Sequence, residues 1–146
     1  MFRITIINGP NLNLLGTREP EIYGKKRLDD INNDIEKSFP NVHFDFFQSN
    51  CEGKLIDIIQ EAQHSADGII INPGAYSHYS IAIRDALKAV SIPAIEVHLS
   101  NIASREEFRQ TSITAVACEG VISGFGHFGY QLAVKATLHQ ISAKKD

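Results

Sequence analysis

The clearest indication of the fold is the run Gly68-Ile69-Ile70-Ile71-Asn72. Three consecutive isoleucines predict a strand that is buried on both faces, because a half-exposed strand would alternate apolar and polar residues. Strands of this kind occur in parallel sheets that are covered by helices on both sides. The run therefore predicts a central strand of an α/β protein.

Four further strand candidates flank this run along the chain, at residues 2–8, 42–47, 93–97 and 120–122. Between the strands, apolar residues recur at helical spacing, in three groups: Leu28, Ile31, Ile35 and Phe39; Leu55, Ile58, Ile59 and Ala62; Ile83, Ala86, Leu87 and Val90. A last helix is predicted from about Gly129, and one of its faces carries Tyr130, Ala133, Val134, Thr137 and Ile141.

Strands that alternate with helices imply right-handed crossovers. We therefore predict a flavodoxin-like five-stranded parallel sheet with helices on both faces. For the second helix, Ser49 three residues before Glu52 predicts a capping box. Asp67-Gly68 is interpreted as the end of that helix.

Composition narrows the class of protein. The chain has 146 residues, a formal net charge of −3 and a pI near 6.0, whereas nucleic-acid-binding domains usually have a pI above about 9. No apolar stretch approaches the roughly 20 residues that span a bilayer, and the N-terminus lacks a signal-peptide pattern. We expect one cytoplasmic domain over 1–146 that binds neither nucleic acid nor a membrane, with a frayed tail at about 142–146.

Ligands of such sheets bind beyond the carboxyl ends of the strands. After the first predicted strand, roughly 15 residues lack clear periodicity, which is typical of a functional loop. This segment carries Arg18 and Tyr23 and is bounded by Gly16 and Gly24, so we predict an active-site lid at about 12–24. A long surface connection with a packed tyrosine fits the same residues equally well.

The residues after the central strand, Asn72-Pro73-Gly74-Ala75-Tyr76-Ser77-His78, offer amide, hydroxyl and imidazole groups. Such a set suits a polyhydroxylated ligand. The alternative interpretation is an ordinary turn, since Asn-Pro-Gly alone forms one.

The next strand ends in Glu96-Val97-His98. Period-two alternation puts Glu96 and His98 on the same side of the sheet, where a carboxylate can orient an imidazole. A purely structural histidine is an equally good interpretation of this pattern. Just beyond, the backbone amides of Leu99 and Ser100, together with Arg109, predict a site for an anion.

The sequence has no metal or cofactor motif in a position where it would form a site. The histidines lack HExxH spacing and the two cysteines lack CxxC spacing, so no metal site is expected. Gly124-x-Gly126-x-x-Gly129 matches a dinucleotide motif but precedes the last helix, and we interpret it as close backbone packing. The alternative to an enzyme is a flavodoxin-like small-molecule binding or receiver module without catalysis. Such a module would need a phosphate-cradling or acidic loop after the first strand.

Together these segments resemble the type II 3-dehydroquinate dehydratases over essentially the whole chain. The resemblance rests on Asn8-Gly9-Pro10-Asn11-Leu12, Gly16-x-Arg18-Glu19-Pro20-x-x-Tyr23-Gly24, Asn72-Pro73-Gly74-Ala75-Tyr76, Arg84-Asp85-Ala86, Glu96-Val97-His98-Leu99-Ser100-Asn101, Arg105-Glu106-Glu107-Phe108-Arg109 and Gly124-Phe125-Gly126. Each segment alone has modest specificity, whereas their order and spacing are specific.

The resemblance implies a hydro-lyase of the shikimate pathway, which serves aromatic amino acid biosynthesis. Enzymes of this family remove water from 3-dehydroquinate by anti elimination, through an enolate, to give 3-dehydroshikimate. They use no metal or cofactor. The resemblance also implies a single catalytic domain, a small anionic substrate and a homo-oligomer, usually a dodecamer built from trimers.

Roles are implied position by position. Tyr23 resembles the base that takes the C2 proton, and Arg18 its activating cation. His98 resembles the acid that protonates the departing C1 hydroxyl, oriented by Glu96, and Asn11 the residue that stabilises the enolate through a bound water. The implied substrate-binding positions are Asn72, His78, Leu99, Ser100, Arg109 and, from a neighbouring subunit, Asp85.

Overall fold

The structure, a computed structural model, describes residues 1–17 and 19–145, apart from the side chains of Tyr23 and Lys145. Its five parallel strands form one sheet in the order β2-β1-β3-β4-β5. The strands are β1 (Phe2–Asn8), β2 (Val42–Gln48), β3 (Gly68–Asn72), β4 (Ala94–His98) and β5 (Gly120–Ser123). This is the flavodoxin-like order, and the predicted fold class is confirmed.

Helices cover both faces of the sheet. They are α1 (Pro20–Tyr23), α2 (Leu28–Ser38), α3 (Glu52–Ser65), α4 (Ile81–Ala89) and α5 (Phe128–Lys145). The isoleucines of β3 divide between two cores: Ile70 packs with α2 and α5, while Ile69 and Ile71 pack with α3 and α4. All three are fully buried, and each stabilises the fold by roughly 1.5–3 kcal/mol through removal of its side chain from water.

Helix α5 crosses the sheet closely at the start of β3. Its predicted apolar face is observed, since Tyr130 and Thr137 have no exposed surface. A Cβ atom at Gly68 would lie 2.5 Å from Cγ2 of Thr137, a separation that real side chains do not tolerate. Gly68 therefore belongs to the sheet and accommodates the helix, and the interpretation of Asp67-Gly68 as a helix end is wrong.

The predicted capping box of α3 is also wrong. Ser49 Oγ accepts a hydrogen bond from the Cys51 amide at 3.0 Å, and Cys51 is the N-cap residue, without a side-chain cap. The Glu52 carboxylate instead accepts from Ser80 Oγ at 2.6 Å. A tertiary partner has replaced the local one that the spacing suggested.

Two segments are more regular than their sequences indicate. The predicted lid contains a 3-10 turn at Leu12–Leu14 as well as α1. The predicted tail continues α5 to Lys145, because Lys144 Nζ donates to the Ser91 carbonyl at 3.1 Å and lies 3.3 Å from a Glu119 oxygen. Asp146 lies outside the described residues.

Within the described part of the chain, no helix combines the length and the apolar character needed to cross a membrane.

Candidate active site

A cleft lies at the carboxyl edge of the sheet, where the loops after β1, β3 and β4 meet. The loops approach closely: a Cβ atom at Gly9 would lie 2.6 Å from the Pro73 carbonyl oxygen, and the Gly9 amide donates to the Asn72 carbonyl at 2.8 Å. Most of the predicted site residues line this cleft, namely Asn11, Asn72, His78, His98, Leu99, Ser100 and Arg109. Distant parts of the sequence therefore contribute to one polar site.

His98 and Glu96 form a buried pair at the end of β4. His98 Nε2 lies 2.7 Å from Oε2 of Glu96, and the Glu96 side chain has no exposed surface. A carboxylate only accepts hydrogen bonds, so Nε2 carries the hydrogen and Nδ1 is the nitrogen without one in the neutral ring. The predicted same-side placement of these two residues is observed.

A second imidazole lies beside this pair. The rings of His78 and His98 are stacked with their centroids 6.4 Å apart. His78 Nδ1 donates to the Thr111 carbonyl oxygen at 2.9 Å, because a carbonyl oxygen can only accept. His78 is thereby oriented by the segment that follows the Glu107–Arg109 turn.

Asn72 is held rigidly at the floor of the cleft. Its Oδ1 accepts from the Gly74 amide at 3.1 Å, and its Nδ2 donates to the Tyr130 phenol oxygen at 3.2 Å. The phenol in turn donates to Asn8 Oδ1. Burial raises the pKa of the Tyr130 phenol well above its usual value, so this residue remains a neutral donor. Sequence periodicity identified Tyr130 only as a core residue.

The loop after β1 presents Asn11 at the rim of the cleft. Asn11 adopts a left-handed backbone conformation, with φ of 68°, and its amide donates to Asn50 Oδ1 at 3.0 Å. Asn50 is itself fixed, since Tyr76 donates from its phenol to the Asn50 carbonyl at 2.8 Å. The side chain of Asn11 is exposed and faces no described hydrogen-bond partner.

Among the described residues, two guanidinium groups bring positive charge to the cleft. Arg105 Nη1 donates to Ser100 Oγ at 3.0 Å, and Arg109 forms an ion pair with Glu106 and lies 4.8 Å from the Phe108 ring centroid. Both arginines line the cleft, which suits an anionic ligand. Arg105 was not among the predicted site residues, although it lies only four positions before Arg109.

Two of the predicted residues fall outside what the structure describes, and a third lies away from the cleft. Arg18 lies outside the described residues, and so does the side chain of Tyr23, whose backbone ends α1. Asp85 is on α4 with 66% of its side chain exposed, 3.7 Å from Arg84 Nε, and does not line the cleft. Among the residues that the structure describes, no cluster of three or more His, Cys, Asp and Glu side chains suits a metal ion.

Comparisons with known proteins agree with this architecture. Residues 2–138 match the family model described as Dehydroquinase class II. A 3-dehydroquinate dehydratase from Clostridium botulinum (strain Loch Maree / Type A3) is 56% identical over 147 residues, which cover 99% of this chain and 100% of the relative. One from Pelodictyon phaeoclathratiforme is 50% identical over 145 residues, covering 98% and 96%.

Solved structures give the same result. The crystal structure of a type II dehydroquinase from Butyrivibrio crossotus DSM 2876 superposes with a TM-score of 0.91 at 51% identity, covering 93% of this chain and 97% of the other. The sheet order and the polar cleft define a flavodoxin-like α/β protein with a site for a small ligand. Within that class, the chain belongs to the class II dehydroquinase family, and the resemblance seen in the sequence is confirmed.

Proposed function

We propose that this chain is a cofactor-independent hydro-lyase that converts 3-dehydroquinate to 3-dehydroshikimate. The observation that carries the proposal is the buried Glu96–His98 pair beside two cleft arginines. An imidazole held by a carboxylate suits proton transfer, and guanidinium groups suit a substrate carboxylate. The names of the relatives supply the identity of that substrate.

In this proposal, His98 is the acid and Glu96 fixes its orientation. In the elimination, His98 acts as the doubly protonated imidazolium. Its Nδ1 proton passes to the departing C1 hydroxyl, which leaves as water, while the Nε2 hydrogen stays bonded to Glu96 and a neutral ring remains. Asn72, His78, the amides of Leu99 and Ser100, and Arg109 hold the substrate. The buried hydrogen bonds of Asn72 keep its amide in one orientation, which favours binding of a ligand with defined hydroxyl geometry.

The other half of the elimination is assigned to the predicted lid. Tyr23 takes the proton from C2, Arg18 lowers the cost of forming the tyrosinate, and Asn11 stabilises the enolate through a water molecule. Asn11 supports this assignment, since it lines the cleft and its exposed side chain has no hydrogen-bond partner among the described residues. The segment at about 12–24 then closes over the substrate and excludes bulk water.

The proposal extends to the assembly. Ile81 and Asp85 lie four residues apart on α4, and Ile81 has 56% of its surface exposed. Residues at this spacing share a helix face, so an exposed apolar side chain lies beside Asp85 where a subunit contact would bury it. Following the resemblance to the family, we assign Asp85 to the site of a neighbouring subunit, in a single catalytic domain that forms trimers and a dodecamer. Two free cysteines suit a cytoplasmic location.

Ultraviolet absorbance of the enone product tests the reaction. Purified protein mixed with 3-dehydroquinate is expected to produce the enone, and His98→Gln is expected to slow its formation by about 10²- to 10⁴-fold, the usual contribution of general acid catalysis. A binding module without catalysis would produce no absorbance change. Binding of a substrate-like carboxylate by His98→Gln serves as the control for an intact cleft.

A further inference from the structure

The Glu96 carboxylate has two hydroxyl neighbours in addition to His98. Ser112 Oγ donates to Oε2 at 2.5 Å, and Thr114 Oγ1 donates to Oε1. Thr114, like Glu96, has no exposed surface. Three donors therefore surround one carboxylate that water does not reach.

The backbone supports the direction of the Ser112 bond. The Ala115 amide donates to Ser112 Oγ at 3.1 Å, and an amide nitrogen can only donate. This bond occupies a lone pair of the Ser112 hydroxyl and leaves its proton for Glu96. With all three neighbours donating, Glu96 is an acceptor only. A protonated Glu96 would force one of the donors to turn away.

The same short segment also orients the second imidazole. Residues 111–114, here called the hydroxyl segment, provide the Thr111 carbonyl that accepts from His78 at 2.9 Å. The Ile113 amide donates to the Ser77 carbonyl at 2.8 Å, which fastens the segment to the loop after β3. One stretch of chain is thus placed against both histidines of the cleft.

We propose that Ser112 and Thr114 are positioning residues that hold Glu96 as a carboxylate and thereby keep the hydrogen of His98 on Nε2. This deepens the function proposed above and rests on it. Without the two hydroxyls, the buried carboxylate keeps a single donor, and sharing of the proton with His98 becomes more favourable. His98 then loses its fixed tautomer, and Nδ1 is no longer the consistent site of proton exchange.

The variants Ser112→Ala and Thr114→Val remove one hydroxyl each at nearly constant shape. We expect each to lower kcat by about 10- to 100-fold, the usual effect of losing a hydrogen bond to a charged group, while KM changes little. Thr114→Ser, which keeps the hydroxyl, is expected to retain most of the turnover. The matched control is Thr137→Val, since this buried hydroxyl donates to the Ala133 carbonyl within its own helix, α5.

The tautomer of His98 is measured directly by two-bond ¹H–¹⁵N correlation of the histidine rings, with the signal assigned from its loss in His98→Gln. Wild type is expected to show the hydrogen on Nε2, and the double variant Ser112→Ala/Thr114→Val a mixture of tautomers. Nε2–H retained in the double variant, or kcat values equal to that of Thr137→Val, overturns the proposal.

This measurement needs no turnover, so it separates the two proposals. A wild-type protein that forms no enone contradicts the proposed function, and the ring spectra still decide the role of the hydroxyl segment. Where the double variant does not fold, the comparison of Ser112→Ala with Ser112→Thr gives the same test.

Discussion

Asn72 donates from its amide nitrogen to the phenol oxygen of Tyr130 at 3.2 Å, 58 positions apart in the sequence. This bond joins the end of β3 to α5 beneath the floor of the cleft. Because both side chains are buried, the bond fixes the amide of Asn72 without competition from water.

Tyr130→Phe removes the hydroxyl that serves both Asn72 and Asn8. Leaving buried polar groups without a partner costs roughly 1–3 kcal/mol, so we expect the free energy of unfolding to fall by about that amount. KM is expected to rise as Asn72 gains freedom, with kcat less affected. Urea unfolding and steady-state kinetics measure the two effects. Tyr79→Phe, at a position with 63% exposure, is the control, and an unchanged stability of Tyr130→Phe would contradict the role.

Tyr23→Phe keeps the aromatic ring but removes the proposed base. Turnover is expected to fall by about 10²- to 10⁴-fold, while thermal stability hardly changes. Retention of most of the activity would place the base elsewhere in the chain.

Arg18→Gln tests how a phenol serves as a base near neutral pH. A free phenol titrates near pH ~10, and a neighbouring cation typically lowers this by roughly 1–3 units. Removal of Arg18 is expected to move the limb of the pH–rate profile that reports the base to higher pH. Lys25→Gln, which removes an exposed charge from the same part of the chain, is expected to leave the profile in place.

Asp85→Ala tests the sharing of sites between subunits. Alone it is expected to weaken activity with little change in the unfolding temperature of the subunit. Mixed assemblies of Asp85→Ala and Tyr23→Phe subunits are expected to regain activity, because some sites then combine an intact Tyr23 with an intact neighbouring Asp85. Asp29→Ala, an exposed carboxylate at the start of α2, is the control. An isolated monomer with full activity would contradict the shared site.

Cys118 is expected to lower the free energy of unfolding at alkaline pH. Burial, and after it the negative charges of Glu96 and Glu119, raise the pKa of this thiol to about 12. From about pH 9 upward the unfolded chain loses the thiol proton and the native chain keeps it, so stability falls toward pH 12 by at most about 1.4 kcal/mol per pH unit. Urea titrations at several pH values are expected to show a shallower fall for Cys118→Ala than for Cys51→Ala.

Thiol labelling checks the same residue at one pH. Cys51 is exposed, so iodoacetamide at mildly alkaline pH is expected to modify Cys51 in the folded protein and both cysteines after denaturation. Rapid modification of Cys118 in the folded state would contradict the raised pKa.

The sheet could be predicted because its signal is local. Ile69, Ile70 and Ile71 specify burial on both faces without reference to any other part of the chain, and the spacing of Glu96 and His98 specifies a shared side of β4. The capping box at Ser49 failed for the complementary reason, since Glu52 found a better partner in Ser80, 28 positions away.

The supporting contacts of the site could not be predicted. Ser112 and Thr114 lie in an irregular segment, where no periodicity relates a side chain to the sheet. Their contacts with Glu96 span 16 and 18 positions and exist only once the segment is docked. The role of Tyr130 could not be predicted either. The apolar pattern identifies an aromatic residue as part of the core whether or not its hydroxyl has a hydrogen-bond partner.

The glycine at position 68 has a consequence at the opposite end of β3. Any larger residue there would press on Thr137 and displace α5, and Tyr130 lies two turns earlier on that helix. Since Tyr130 anchors Asn72, a substitution at the amino edge of the sheet would impair ligand binding at the carboxyl edge. A defect mapped to Gly68 would then look like an active-site lesion in kinetics while arising from the spacing between one helix and one strand.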